Sequence, residues 1–277
     1  MRIRIIDAFT DRPFSGNPAG VCLLDGDTWP DDARMRQVAA ELNLSETAFA
    51  RPLPPGGDAD WGLRWFTPAV EVDLCGHATL ATAHALRSDG LLRESGEDAG
   101  GGVRFATRSG VLTAQAAPDG GLTLDFPASP VVPVPVPAGT AEALGAAVTA
   151  AYGTGPLGDL LVEVADERTV RALEPDLAAV ARLETRGVVV TAAAEDPAAA
   201  HDFVSRFFGP AVGVPEDPVT GSAHTALAPL WSARLGRSDL TGLQVSPRSG
   251  VVRTRLRSDR VLLSGHAVTV LDGVLRV

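Results

Sequence analysis

Short stretches of alternating or β-branched apolar residues recur along the whole chain, each closed by Gly, Pro, Asp or Ser, as strands of a half-buried sheet require. In the first half they predict strands at RIRIIDAF, VCLL, GLRWF, VLTAQAA and GLTLDF. The second half answers with DLLVEV, GVVVTAA, GLQVSP, VVRTRLR and RVLLSG. Helical patterns are fewer. TWPDDARMRQVAAEL follows cap signals at Thr28 or Asp31, segments begin at Gly76 and Gly221, and a further one lies near 175–184. This mixture predicts an α+β protein.

The elements repeat. RWFTPAV at 64–70 returns as RFFGPAV at 206–212, identical at five of seven positions, and RSGV at 108–111 returns at 248–251. Between them CGHATLATAHAL aligns with TGSAHTALAPL after a three-residue insertion in the second copy. Each half therefore carries one strand, turn and helix of the same design. FPASPVVPVPVP at 126–137 places five prolines in twelve residues, which predicts an extended, semi-rigid connector. The expected domains are 1–127 completed by 262–277, and 128–261. SGEDAGGG at 95–102 reads as a mobile surface turn rather than a phosphate loop.

Composition narrows the chemistry. The chain has 277 residues, enough for two domains, with 45% hydrophobic and 21% charged residues, a globular mix. Its net charge is −10 and no basic block appears, which argues against nucleic acid as a partner. All 24 basic residues are Arg, so Schiff-base chemistry and the lysine of a phosphate-binding loop are excluded. Cys22 and Cys75 form neither a disulfide framework nor a zinc-ligand spacing. No apolar run has the length of a membrane span and the first residues do not read as a leader; the expected location is the cytoplasm.

Between Cys75 and Leu86 there is almost no charge, so the Gly76 helix should be buried, and the Gly221 helix reads the same way. A buried helix still presents unpaired N–H groups and partial positive charge at its N-terminus, where a carboxylate binds well. Gly76 and Gly221 would let a ligand approach the backbone; the competing reading is that they only allow tight packing. If the halves face each other, the two N-termini converge on one site for a small anionic molecule. Titratable residues gather at the same turns: Cys75 and His77 in DLCGHAT, and Glu216, Asp217, Ser222 and His224 in PEDPVTGSAH. Glu46 in NLSETAF is a further candidate, either a general acid/base or a turn hydrogen-bond partner. His84, His201 and His266 read as structural. A thiolate at Cys75 would be favoured by the adjoining helix start. Its counterpart is Thr220, and the residue 142 after Glu46 is Val188, so neither a thiol pair nor a second acid arises from the repeat.

On four ordered blocks, DAFTDRPFSGNPAGV, NLSETAF, WFTPAVEVDLCGHATLA and FFGPAVGVPEDPVTGSAH, the chain resembles the phenazine-biosynthesis PhzF-like family, relatives of the diaminopimelate epimerase fold. The resemblance implies two pseudo-symmetric domains, each a barrel-like mixed sheet around a central helix, with the active site between them. It implies Glu46, His77 and Asp217 as catalytic residues and Asn17, Ser45, Gly76, Gly221 and Ser222 as substrate contacts. It further implies a cofactor-independent, metal-free isomerisation of a small carboxylate-bearing substrate, a homodimer, and Glu46 returning its proton to a second carbon. Two rivals stand beside it: an amino-acid racemase or epimerase using two opposed acid/base residues, and a non-catalytic protein binding an anionic ligand.

Overall fold

The computed structural model describes residues 1–92, 102–117 and 119–276. The chain forms two compact units, Met1–Asp125 with Ser264–Val277, and Phe126–Leu263. The proposed Gly-rich turn at 95–102 lies outside the described residues except for Gly102, which opens a strand.

In the first unit Arg2–Ala8 lies antiparallel to both Asn17–Leu23 and Ala267–Val274. Asn17–Leu23 then runs parallel to Glu46–Pro52, which is antiparallel to Trp61–Phe66, which is parallel to Gly102–Thr107, which hairpins into Gly110–Ala116. The second unit repeats this order. Leu160–Val164 is parallel to Val188–Ala193, antiparallel follows with Phe203–Gly209, parallel with Asp239–Gln244, and antiparallel with Gly250–Arg257. Parallel neighbours need a crossover. The crossovers fall at matching places: the Asp32–Leu42 helix in one unit and the short Glu167–Ala172 and Leu177–Val180 helices in the other. The Gly76–Ser88 and Gly221–Leu235 helices make the second pair.

Local sequence explains the principal helices. Asp31 caps Asp32–Leu42 by accepting from the Arg34 N–H at 2.7 Å, and Asn43 ends it in the left-handed region at φ 51°, a conformation Asn tolerates. Gly76–Ser88 is buried nearly all round, from His77 to Leu86, which its Ala and Thr side chains permit because they are small. Two of its buried hydroxyls find partners within the helix: Thr79 donates to the Cys75 carbonyl and Thr82 to the Ala78 carbonyl. In the second helix Pro229 has no N–H for the Thr225 carbonyl, and the Ser129 N–H takes that acceptor at 3.1 Å. Trp231 stacks on Phe203 at 5.8 Å and donates its indole N–H to Thr191.

Several expectations are corrected. The proline-rich segment is not wholly a connector, because Val132–Val134 pairs with Val148–Gly153, with Pro133 opposite Tyr152. Proline fits there because this strand is three residues long and exposed throughout. The helix near 175–184 shrinks to Leu177–Val180, capped by Asp176. Five longer strands were missing from the pattern, Glu46–Pro52, Gly102–Thr107, Val148–Gly153, Phe203–Gly209 and Ala267–Val274, as were the short Glu71–Val72, Val132–Val134 and Val214–Asp217. Phe203–Gly209 is buried on both faces and so shows no alternation.

Candidate active site

The left-handed turn at Asn43 ends the first helix and delivers Ser45 and Glu46 to the start of the Glu46–Pro52 strand, with Glu46 opposite Ala19 in register. On the other side the chain leaves Trp61–Phe66, turns through the short strand Glu71–Val72 and enters the buried helix at Cys75. Glu71 fixes this turn. It accepts from Arg64 at 2.7 and 2.6 Å and from Arg108 at 2.6 Å, and the Arg64 guanidinium lies 5.1 Å from the centre of the Phe66 ring.

These two approaches bring Glu46, Cys75 and His77 together. His77 Nε2 stands 3.4 Å from Glu46 Oε2, and His77 Nδ1 stands 3.5 Å from Cys75 Sγ. The potential ligand atoms of the three residues all lie within 4.8 Å of one another, a spacing that could hold a metal ion. His77 and Cys75 are buried and Glu46 is mostly so. Burial pushes the Glu46 carboxyl pKa above its ordinary value, opposed by hydrogen bonds from Ser45 and Cys75 that favour the ionised form. Cys75 is the N-cap of the helix and makes no side-chain cap bond to it. The other thiol, Cys22, is buried and pushed up to about 12, hence neutral and inert; neither cysteine is in a disulfide.

In the second unit the matching helix start is closed differently. Thr220, in the place of Cys75, donates its hydroxyl to Asp217 Oδ2 at 2.6 Å. Gln244 accepts the Thr220 N–H at 2.8 Å and donates to the Asp217 carbonyl at 2.7 Å. His224 returns a ring contact to the Thr220 carbonyl at 2.8 Å, the role Thr79 plays in the first copy. Ser222, in the place of His77, lies 3.4 Å from Arg186 Nη2, and Arg186 is paired bidentately with buried Asp159 at 2.9 and 2.6 Å. Arg206 and Glu216 reproduce the Arg64–Glu71 pair at 2.7 and 2.9 Å. Val188 begins the strand that matches Glu46–Pro52 and is fully buried, so the acid occurs in one copy.

Of the residues expected to matter, Ser45, Glu46, Gly76 and His77 meet at one place in the first unit, and Asp217, Gly221 and Ser222 at the matching place in the second. Asn17 is fully buried at the head of its strand, opposite Ala8. Arg186, Gln244 and the Glu71 anchor were not found from sequence; the duplicated RWF and RFF segments contain Arg64 and Arg206 without marking their role, and of their two carboxylate partners Glu216 alone was a candidate. His84 bonds Thr269, His201 pairs with Glu167 and His266 with Asp119, which agrees with structural roles. Among the described residues no helix is long and apolar enough to cross a membrane.

A duplicated mixed sheet wound on a buried helix, with an acid at one helix start, defines an α+β protein of the diaminopimelate epimerase-like class. Residues 6–273 match the phenazine biosynthesis-like protein family, PhzC-PhzF, and the chain belongs to it. A Pseudomonas aeruginosa protein named an uncharacterized isomerase is 50% identical over 272 residues, covering 98% of this chain and 97% of the relative. The crystal structure of a phenazine biosynthesis PhzF-family protein from Enterococcus faecalis superposes with TM-score 0.88 at 38% identity, over 100% of this chain and 99% of that one. A structure from Pseudomonas aeruginosa, described as a predicted epimerase, shares the fold with TM-score 0.71 at 22% identity, over 99% of this chain and 98% of that one.

Proposed function

We propose that the protein is a small-molecule isomerase that needs neither metal nor cofactor and moves a proton on a carboxylate-bearing substrate with Glu46 as the acid/base. The observation that carries this reading is the carboxyl of Glu46, removed from water, raised in pKa and held beside Cys75 and His77. A raised pKa makes a carboxyl a better base when ionised and keeps its acid form accessible nearer neutrality. Glu46 takes a proton from one carbon, the electron pair passes into the adjoining unsaturated system, and Glu46 returns the proton to a second carbon. No net proton or electron is exchanged. The N–H groups at the helix start, Gly76 and His77, face the helix N-terminal end, where the partial positive charge favours the substrate carboxylate and the charge that develops on it. His77 fixes the acid in place. Asp217 and Ser222, with Asn17, Ser45 and Gly221, are assigned to substrate positioning on the family pattern. The names given to relatives, isomerase among them, favour the same reaction class.

Thermal stabilisation across a panel of small cyclic and amino-acid carboxylates identifies a ligand. Turnover of that ligand in deuterium oxide then incorporates deuterium at the carbon that receives the proton, in the fraction of cycles in which the Glu46 carboxyl exchanges with solvent before the return. Glu46→Gln lowers turnover by at least about 100-fold while the ligand still raises the melting temperature. Unchanged turnover in Glu46→Gln removes the acid from the mechanism. Incorporation at one carbon with inverted configuration, and no shift of a double bond, assigns a racemase instead. A homodimer in the cytoplasm completes the proposal; light scattering on the purified chain tests the dimer.

A further inference from the structure

We infer that Glu46, Cys75 and His77 form a binding site for a thiophilic divalent cation, Zn2+ above all, whose occupancy excludes the proton-transfer chemistry. Around a tetrahedral zinc, with sulfur at about 2.3 Å and nitrogen or oxygen at about 2.0–2.2 Å, neighbouring ligand atoms stand roughly 3.3–3.6 Å apart. Here His77 Nε2 lies 3.4 Å from Glu46 Oε2 and 4.0 Å from Cys75 Sγ, and the whole set lies within 4.8 Å. Closing the triangle takes a few tenths of an ångström at sulfur and a rotation of the carboxylate, both on side chains with free torsions. The three residues come from a strand start and the first turn of a buried helix, so the backbone beneath them is fixed before metal arrives. Preorganisation of this kind favours binding.

The donor set suits zinc more than calcium or magnesium. One thiolate, one imidazole and one carboxylate are borderline-soft ligands, whereas the alkaline-earth ions take oxygen. Thiolate and carboxylate together carry two negative charges, which the ion neutralises inside a mostly buried pocket. Three protein ligands leave the fourth position for water or for a substrate carboxylate. The spacing in sequence hid this set, because Glu46 comes from a different element than Cys75 and His77.

Occupancy ties up the lone pair that Glu46 needs to take a proton from carbon. The antagonism between zinc and turnover therefore rests on the isomerase reading, but the binding does not.

Untagged, chelator-treated protein is titrated with Zn2+ against a chromophoric chelator, and separately with Co2+ followed by absorbance. The expected result is one zinc per chain and a thiolate-to-cobalt charge-transfer band. Cys75→Ser, His77→Gln and Glu46→Gln each weaken zinc binding by more than the roughly 100-fold that loss of an outer-sphere partner alone can give. His201→Gln, which removes a separate imidazole–carboxylate pair, leaves stoichiometry and affinity unchanged. Zinc also raises the melting temperature of the wild type and not that of Cys75→Ser, which shows the variant folded by its own cooperative transition. No stoichiometric binding, or equal binding by Cys75→Ser, overturns the site. Stoichiometric zinc with undiminished turnover overturns the antagonism. If no carboxylate is turned over at all, the zinc titration still decides the site, so the two readings fail separately.

Discussion

Removing the Glu71 carboxylate tests whether the ion-pair anchor supports the first helix start. In Glu71→Gln the backbone keeps its shape, but Arg64 and Arg108 lose a shared anion that accepts three contacts of 2.6–2.7 Å. Taking one partner from a buried pair typically destabilises by about 3–5 kcal/mol. Glu71 and Arg64 have side-chain exposures of 8% and 18%, whereas Arg108 is 52% exposed and solvent screens its share. The discounted expectation is about 2–3 kcal/mol, or roughly 3–5 °C in melting temperature for a chain of this size. Urea unfolding followed by tryptophan fluorescence is the assay. Three of the four tryptophans, Trp29, Trp61 and Trp65, belong to the unit that holds Glu71, and Trp231 to the other. Arg64→Met with Glu71→Gln completes a double-mutant cycle, and the coupling should exceed about 1 kcal/mol. A loss below about 0.5 kcal/mol, with no coupling, refutes the anchor.

Other perturbations follow from burial and charge. Because burial raises the Glu46 pKa above its unfolded value, the folded state holds that proton more tightly and stability declines as pH rises through the folded pKa. Glu46→Gln should therefore gain stability relative to wild type at pH 8 and lose that gain at pH 4; urea midpoints at both pH values check it. His224 is fully buried and depressed to about 4, so protonation favours unfolding and its contribution is lost as pH falls from about 6.5 toward 4. Replacing it with Gln should flatten that part of the stability profile, and an unaltered slope would assign the acid sensitivity elsewhere. A Cβ on Gly242 would come within 2.6 Å of the Phe203 ring and 3.0 Å of His224 Nε2. Gly242→Ala should destabilise by about 1–3 kcal/mol in thermal unfolding, and a neutral result means that the ring moves aside freely.

The repeat was legible because its apolar and glycine positions are imposed twice by the same packing: RWF and RFF line up, and so do the two helix starts. Strands that stand wholly inside, such as Phe203–Gly209, have no polar face to create a period of two, and Val148–Gly153 contains too many small residues to announce itself. Glu46 was identified through its neighbours NLSET, but its place as the first residue of a strand depends on pairing with Asn17–Leu23, a contact with no local sign. Cys75 was correctly placed beside a helix start. Its company with Glu46 was hidden because the two approach from different strands. Arg186 and Gln244 reach their partners through tertiary contacts alone, and their own neighbourhoods carry no motif.

The strand Ala267–Val274 completes the sheet of the first unit by lying against Arg2–Ala8, whereas Phe126–Leu263 is one unbroken stretch. During synthesis the acid-bearing unit must therefore wait, its sheet edge open, until residues near 274 have emerged from the ribosome. The later-made unit has all of its own chain first. Order of manufacture and order of completion are thus reversed, and a released chain truncated before residue 267 should protect the second unit from protease while leaving the first open to cleavage.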